Sequence, residues 1–460
     1  MKKSELLPTP ANIRTTFLND TIHRNKDIIA FIKFLDSITE PYSIALDSQW
    51  GTGKTFFVKQ IELILNSLNN NAYNRPDHPD DIVELYNRYT HNQPLSRPYI
   101  ALYYDAWAND MDEDPFYSLM LTIMDSTNNK DALKDPTKAK DVIKARGKIV
   151  GCLKGINPDE IAESLQKGDV LESLRERRQL DERITNFINN LLPGHGEQLV
   201  IIIDELDRCN PQFAVRLLER IKHYFNNDKI TFVFAVNIAE LQNTIRSFYG
   251  SNFDGARYLD RFFDFRISLP KPDSYTINNL LSFHDSSLIY ERSLHLVMQK
   301  YQMTLREMSR FLDITRKLAP PYTHGVSYDN NLYPAKQFII QAICPMLFGL
   351  KVMETNRYHS FVNGQDSSPW KEFFSNAESI GAVHFYLNLI APADRQHEYT
   401  ENDKEELHEQ FEKFYQALLR DSEEIHVGQC TIGNSERRFF HEIISGLSPI
   451  SKFTEYSADT

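Results

Sequence analysis

The sequence predicts an α/β fold with a parallel β-sheet, a helical insertion and a mainly helical C-terminal region, and three segments carry that prediction. Tyr42 to Ile64, YSIALDSQWGTGKTFFVKQIELI, reads as a short apolar strand, a glycine-bearing turn and a helix opening on Lys-Thr. Leu199 to Cys209, LVIIIDELDRC, begins with five consecutive large aliphatic residues, a run expected only of a strand buried on both faces. Thr231 to Asn237, TFVFAVN, is a third apolar strand that again ends in a polar residue.

Taken in chain order, the N-terminal MKKSELLPTP has two lysines and lacks the apolar core of a signal peptide. In the first strand-turn-helix, Gly51 and Gly53 let the backbone curl so that successive N–H groups point inward, and the helix adds the positive end of its dipole. Such a cradle suits the phosphates of a nucleoside triphosphate. Lys54 is placed to reach the β- and γ-phosphates, and the Thr55 hydroxyl to ligate Mg²⁺. The pattern for such a loop is G-x-x-x-x-G-K-[ST], and Ser48 stands at its first glycine. Serine is tolerated there at negative φ, whereas a positive φ costs about 1 kcal/mol or more. The candidate nucleotide contacts are Ser48, Gln49, Trp50, Gly51, Thr52, Gly53, Lys54, Thr55 and Phe56.

Asn66 to Arg97 is rich in Asn, Asp and Pro and is expected to be an irregular insertion. Asp110 to Gly194 is predicted mostly helical and highly charged; within it Glu172 to Leu192 alternates charge signs and gains an apolar face toward its end. The basic cluster Lys144, Arg146 and Lys148 is expected on a solvated helix face, contact with phosphate being the alternative.

At the end of the second strand, Asp204 and Glu205 stand side by side. Adjacent carboxylates at the edge of a core repel one another and lose hydration unless a cation sits there. Asp204 is the candidate Mg²⁺ ligand, acting through water, and Glu205 the candidate base that orients and deprotonates an attacking water. Asn237, closing the third strand, is a candidate sensor for the γ-phosphate or that water; capping the next turn is the alternative. Pro270 and Pro272 mark a hinge into helices running to about Ala319, and Pro320 and Pro321 with the polar loop to Pro334 set off a third, mainly helical region.

At 460 residues, 41% hydrophobic and 25% charged, the chain has room for two or three ordinary globular domains. Its net charge of −12 argues against coating nucleic acid with the whole surface, although a local basic groove stays open. Cys152, Cys209, Cys344 and Cys430 are widely spread with no C-x-x-C pair, so neither a disulfide framework nor a zinc site is suggested, and a reducing cytoplasm fits. Phe338 to Met353 is apolar but interrupted by Gln341, Pro345 and Lys351. It falls short of the roughly 20 apolar residues of a spanning helix, so a buried helix and no transmembrane segment are expected.

With these pieces quoted, the chain resembles the KAP family of P-loop NTPases, a branch of the additional-strand ATPases with acidic catalysis. QWGTGKT is similar to the family's tryptophan-containing phosphate loop, and IIIDELDRC to its acidic strand with the Leu-Asp-Arg-Cys continuation. YYDAW at Tyr103 to Trp107, followed by Pro115, resembles the strand between them. DTIHR at Asp20 to Arg24 resembles the opening motif, which by analogy brings Ile22 and His23 near the adenine. GARYLDRFFDFRISLP at Gly255 to Pro270 is similar to the passage from core to helical lid, and MTLREMSRFLD at Met303 to Asp313 to the Arg-containing lid helix. The resemblance spans about residues 15 to 318 and departs from the family at Ser48 and in lacking inserted membrane hairpins. It implies a parallel-sheet P-loop NTPase core at 1–270, a helical lid at 271–319 and a C-terminal region at 320–460.

Phosphoryl transfer needs positive charge on the γ-phosphate, and an inserted arginine is worth about 10³ to 10⁵ in rate. Arg208 is expected to point outward, serving a neighbouring subunit or pairing with Asp207. Of Arg257, Arg261 and Arg266, Arg261 is the candidate finger, from the lid or in trans; Arg306 and Arg310, at i and i+4, are candidate lid sensors. A surface salt bridge is the alternative for each. A finger in trans requires self-association. Trp50 and Trp107 are expected to pack together under the loop. The resemblance implies ATP as substrate, Mg²⁺ as cofactor, and hydrolysis used as a conformational or assembly switch in a bacterial anti-phage or mobile-element system. The alternatives are a slowly hydrolysing scaffold that recruits a partner effector, and a nucleic-acid motor, which would need a basic channel.

Overall fold

The computed structural model describes residues 7–38, 40, 42–112, 114–126, 191–224, 227–271, 288–318, 334–375, 387, 390–392, 401–419 and 424–447. Most of the charged insertion, including Lys144, Arg146, Lys148 and nearly all of the helix expected at 172–192, lies outside them, as do Cys152 and the Pro320–Pro321 boundary. The chain divides into two units between Lys271 and Pro272.

Five strands build the sheet of the first unit: β1 (Ser43–Asp47), β2 (Tyr99–Asp105), β3 (Gln198–Asp204), β4 (Ile230–Val236) and β5 (Phe265–Ser268). They pair in the order β2-β3-β4-β1-β5, every pair parallel. All seven residues of β3 and of β4 are buried. The alternation along each strand feeds two cores: Ala45, Ile201 and Ile203 face one, while Ile44, Leu46, Val200 and Ile202 face the other. On the second face pack α1 (Pro10–Leu18), α2 (Asn25–Ser37), α3 (Lys54–Leu68) and α4 (Asp80–Thr90). On the first pack α5 (Pro115–Ser126), α6 (Pro211–Tyr224) and α7 (Ile238–Tyr249). Because β4 stands between β1 and β3, the chain crosses the sheet and returns, leaving a crevice at the carboxyl ends of the strands where the order reverses.

The stretch expected to be irregular between residues 66 and 97 contains α4. Its Ile82, Tyr86 and Thr90 recur at i, i+4 and i+8 and are buried, and Asp80 and Asp81 sit in the first turn, where the helix dipole favours them. Asp81 pairs with Arg14 of α1. Docking on neighbouring helices therefore overrides a polar, proline-bearing composition.

In the second unit the helices Leu288–Lys300 and Leu305–Leu318 share one hydrophobic core with Pro334–Met353, Lys404–Leu419 and Asn434–Leu447. Met298 and Phe311 lie in the same core as Phe338, Trp370 and Phe411, so among the described residues no second core begins at 320. Trp370 stacks on Phe411 with ring centres 5.0 Å apart. The run Pro334–Met353 reaches 20 residues, longer than its interruptions suggested, and is apolar enough by composition to cross a membrane, but most of its apolar stretch is buried inside the protein. It widens to a π-turn at Ile339–Ile343 just ahead of Pro345, which lacks the N–H a continuous α-helix would need there. A side chain at Gly349 would collide with Val297 Cγ1, so glycine lets these helices approach.

Candidate nucleotide site

The loop after β1 curls at its two glycines, Gly51 with φ 82° and Gly53 with φ 93°, values that cost little only without a Cβ. Ser48 is not among the left-handed residues, so a serine meets no backbone penalty there. Its N–H donates to Val236 O (3.1 Å) and its hydroxyl lies 2.5 Å from Thr52 Oγ1, which in turn donates to Gln49 O (2.8 Å). Those hydroxyl contacts brace the loop. Gln49 and Trp50 are exposed, while Thr52, Lys54 and Phe56 are buried.

Lys54 begins α3 and folds its ammonium back to Ser48 O (2.5 Å) and Gln49 O (3.2 Å). Burial lowers its pKa, opposed by the carboxylates of Asp207, Asp204 and Glu205. Thr55 Oγ1 donates to Asp204 Oδ2 at 2.7 Å, joining the loop to the end of β3. Tyr103 of β2 donates its hydroxyl to the same Oδ2 (3.0 Å), and Glu205 N donates to Oδ1 (2.9 Å). Asp204 is 1% exposed, and burial raises its pKa against those three hydrogen bonds. A hydroxyl and a carboxylate oxygen in contact are hard oxygen donors of the kind Mg²⁺ takes, so Thr55 and Asp204 fit as its ligands. When bound, the ion would neutralise phosphate charge.

Glu205 takes the left-handed backbone, φ 61°, unusual for a non-glycine residue and frequent at functional sites. Burial and then Asp204 push its pKa up to about 7, while Arg208 opposes. A carboxylate so poised suits a base working near neutral pH. Arg208 does not point outward or pair with Asp207 as expected. Its Nε pairs with Glu205 Oε2, because one turn of 3₁₀ helix, Leu206–Arg208, brings the two side chains together. Asp207 instead accepts the Trp50 indole N–H on Oδ2, and its buried Oδ1 has no hydrogen-bond partner.

Trp50 and Trp107 do not pack under the loop: they are 43% and 52% exposed, and the Arg208 guanidinium lies over both rings. A planar cation attracted to two ring faces offsets the cost of leaving indoles in water.

The remaining candidates are spread around the molecule. Asn237 caps α7, its side-chain oxygen accepting from Glu240 N at 3.4 Å, beside the loop that Val236 holds through Ser48. His23, φ 53°, and Ile22 lie between α1 and α2. Their neighbour Arg24, not singled out from the sequence, is 5% exposed and donates to Thr52 O (2.7 Å) and Pro270 O (2.5 Å), tying the phosphate loop to the end of the core. Tyr103 was likewise missed; its place opposite Ile202, two residues before Asp204, becomes visible only once β2 and β3 pair. Arg261 is exposed, and its carbonyl accepts from Lys222, while nearby Asp264 donates its N–H to Ser43 O at the start of β1. It therefore stands at the amino ends of the strands, opposite the phosphate loop, and does not reach this chain's own loop as a lid finger. Arg306 and Arg310 are exposed on the helix Leu305–Leu318 of the second unit.

A model of the KAP family P-loop domain matches residues 24–319, more than half of the chain. The chain belongs to the KAP family of P-loop NTPases. Its KAP domain is thus a nucleotide-binding NTPase module, with the parallel sheet and phosphate loop described above. An uncharacterized protein of Methanocaldococcus jannaschii is 28% identical over 185 residues, 30% of this chain and 95% of that protein. Among solved structures, the Aeropyrum pernix ORC2 protein in its ADPNP-ADP complexes is 12% identical with a TM-score of 0.30, covering 86% of this chain and 93% of that one. The ORC1 protein of the same organism, in complex with DNA, is 13% identical with a TM-score of 0.29, covering 94% and 92%.

Proposed function

We propose that this KAP protein binds ATP with Mg²⁺ and hydrolyses it, using the cycle as a conformational or assembly switch. The observation that carries this reading is the contact between Thr55 and Asp204, with Glu205 next in the chain and Lys54 one residue before Thr55. Those four side chains divide the work of phosphoryl transfer. Lys54 leaves the carbonyls of Ser48 and Gln49 for the β- and γ-phosphate oxygens. Backbone N–H groups from Gly51 to Thr55 cradle the same oxygens at the start of α3. Glu205 accepts a proton from the attacking water and orients it, and Asn237 is positioned to help aim it. Arg261, exposed and away from this chain's loop, suits a finger offered to a second copy, which makes self-association part of the proposal. The helices at 288–318, with Arg306 and Arg310, keep the lid role that the resemblance implies, and because they share one core with the helices beyond 320, the surface for a protein partner belongs to the same unit. A bacterial anti-phage or mobile-element setting follows from the family resemblance alone.

The test is ATP turnover by the purified chain over a concentration series, with Glu205→Gln alongside. Specific activity rising with concentration, and a variant that binds ATP but turns over about 10²-fold or more slowly, are expected. A Glu205→Gln protein hydrolysing at the wild-type rate sinks the base assignment. Turnover independent of concentration sinks the trans finger.

A further inference from the structure

We propose that Arg208 is a positioning residue that fixes the Glu205 carboxylate and couples it to the phosphate loop through Trp50. The inference rests on the reading of Glu205 as the base. Three observations converge on it. Arg208 Nε is ion-paired with Glu205 Oε2, and the two side chains are only 23% and 19% exposed. The guanidinium carbon lies 5.6 Å from the centre of the Trp50 ring and 5.5 Å from that of Trp107. Trp50 belongs to the phosphate loop itself, between Gln49 and Gly51, and its indole N–H is held by Asp207, the residue before Arg208.

The chemistry of the arginine explains why the arrangement needs it. A guanidinium presents its flat face to aromatic rings while its edge N–H groups remain free to bond a carboxylate, which a lysine ammonium cannot do at once. The two indoles otherwise have no evident reason to stand so exposed at the mouth of the site. Glu205 leaves β3 with left-handed backbone and has no neighbouring strand to fix it, so its side-chain direction depends on what grips the carboxylate. Arg208 grips one oxygen and leaves the other for water. A displacement of the loop at Trp50 moves both the ring under Arg208 and the Asp207 contact, and so is transmitted to Glu205.

The test compares wild type with Arg208→Gln, Arg208→Lys, Trp50→Leu and the Trp50→Leu/Arg208→Gln pair. It measures affinity for a fluorescent ATP analogue with Mg²⁺, kcat, KM and melting temperature. Misplacing a base by an ångström costs up to about 10²-fold. Arg208→Gln is therefore expected to lower kcat by about 10- to 100-fold with KM and analogue affinity held within about twofold. Arg208→Lys, which keeps charge but loses the flat stack, recovers part of the rate. The double variant is expected to be no slower than Arg208→Gln alone, since both changes break one linkage. A wild-type kcat in Arg208→Gln, a raised KM with kcat intact, or additive losses in the double variant would each overturn the assignment. Should Arg208→Gln fail to fold, a wild-type rate in Arg208→Lys and Trp50→Leu overturns it equally. Wild-type protein that binds the analogue without turnover instead overturns the base reading, and Arg208's role with it.

Discussion

The Thr55 hydroxyl and Asp204 Oδ2 stand 2.7 Å apart although 149 positions separate them in the chain. The contact exists because β1 and β3 run parallel on either side of β4, so the loop after one strand and the acidic end of the other open on the same edge. Parallel pairing turns two distant motifs into one site.

The buried Lys54 ammonium rests on the carbonyls of Ser48 and Gln49 and is proposed to turn from them to phosphate, and charge-assisted hydrogen bonds are worth about 1.5–3 kcal/mol each. Lys54→Ala is expected to weaken binding of a fluorescent ATP analogue by about 10-fold or more, read by titration, with the melting temperature held. Unchanged affinity would remove Lys54 from the phosphate site.

Tyr103 supplies one of the three hydrogen bonds that offset the burial of Asp204. Tyr103→Phe keeps the ring beside Lys59 and deletes only that donor, so a loss of about 1–3 kcal/mol is expected in chemical denaturation. Excess Mg²⁺ with ATP should restore part of it by supplying another partner for the carboxylate. Equal stability of variant and wild type would show that water replaces the hydroxyl without cost.

Arg24 bridges two carbonyls, Thr52 O in the phosphate loop and Pro270 O beyond β5. Arg24→Ala strands both and is expected to cost about 2–4 kcal/mol, with Arg24→Lys recovering less than half because one ammonium replaces a fork. Hydrogen exchange should rise first at Gly51–Gly53. A loss confined to residues far from the loop would contradict the bridge.

Glu62 of α3 has its pKa pushed up to about 7 by burial, with Lys59 and a main-chain hydrogen bond at Tyr103 opposing. The folded chain therefore binds this proton more tightly than the unfolded chain, whose carboxyl titrates near 4.5. The resulting stabilisation is complete below the unfolded value and is lost as pH rises through the folded one. Glu62→Gln, a fixed neutral mimic, should melt above wild type at about pH 8 and level with it only at about pH 4, below the unfolded value. A constant offset across that range would count against titration of Glu62.

Much of the site was legible residue by residue. Gly51, Gly53, Lys54 and Thr55 announce a phosphate loop because few backbones other than a glycine-bearing turn leading into a helix expose so many N–H groups. The run from Leu199 to Ile203 required a doubly covered strand, and β3 is buried throughout. The helix Asp80–Thr90 was hidden, since its Ile82, Tyr86 and Thr90 stripe is short and its helix is held by contacts with distant elements. Arg208 and Arg261 were equally opaque, because sequence gives the charge of a side chain and not the end of the sheet on which it lands.

By itself, the sequence determined the local chemistry of this protein: which strands are apolar on both faces, where the loop must curl, and which groups can hold phosphate, metal and proton. Only the tertiary structure decided which partners those groups meet: Thr55 with Asp204, Glu205 with Arg208, Arg208 with two indoles, Arg24 with Thr52 and Pro270, and one core for the helices on both sides of residue 320. The reason is physical: backbone conformation and burial pattern depend on neighbours in sequence, while hydrogen bonds and ion pairs across a sheet depend on strand order, which is set by the packing of the whole unit.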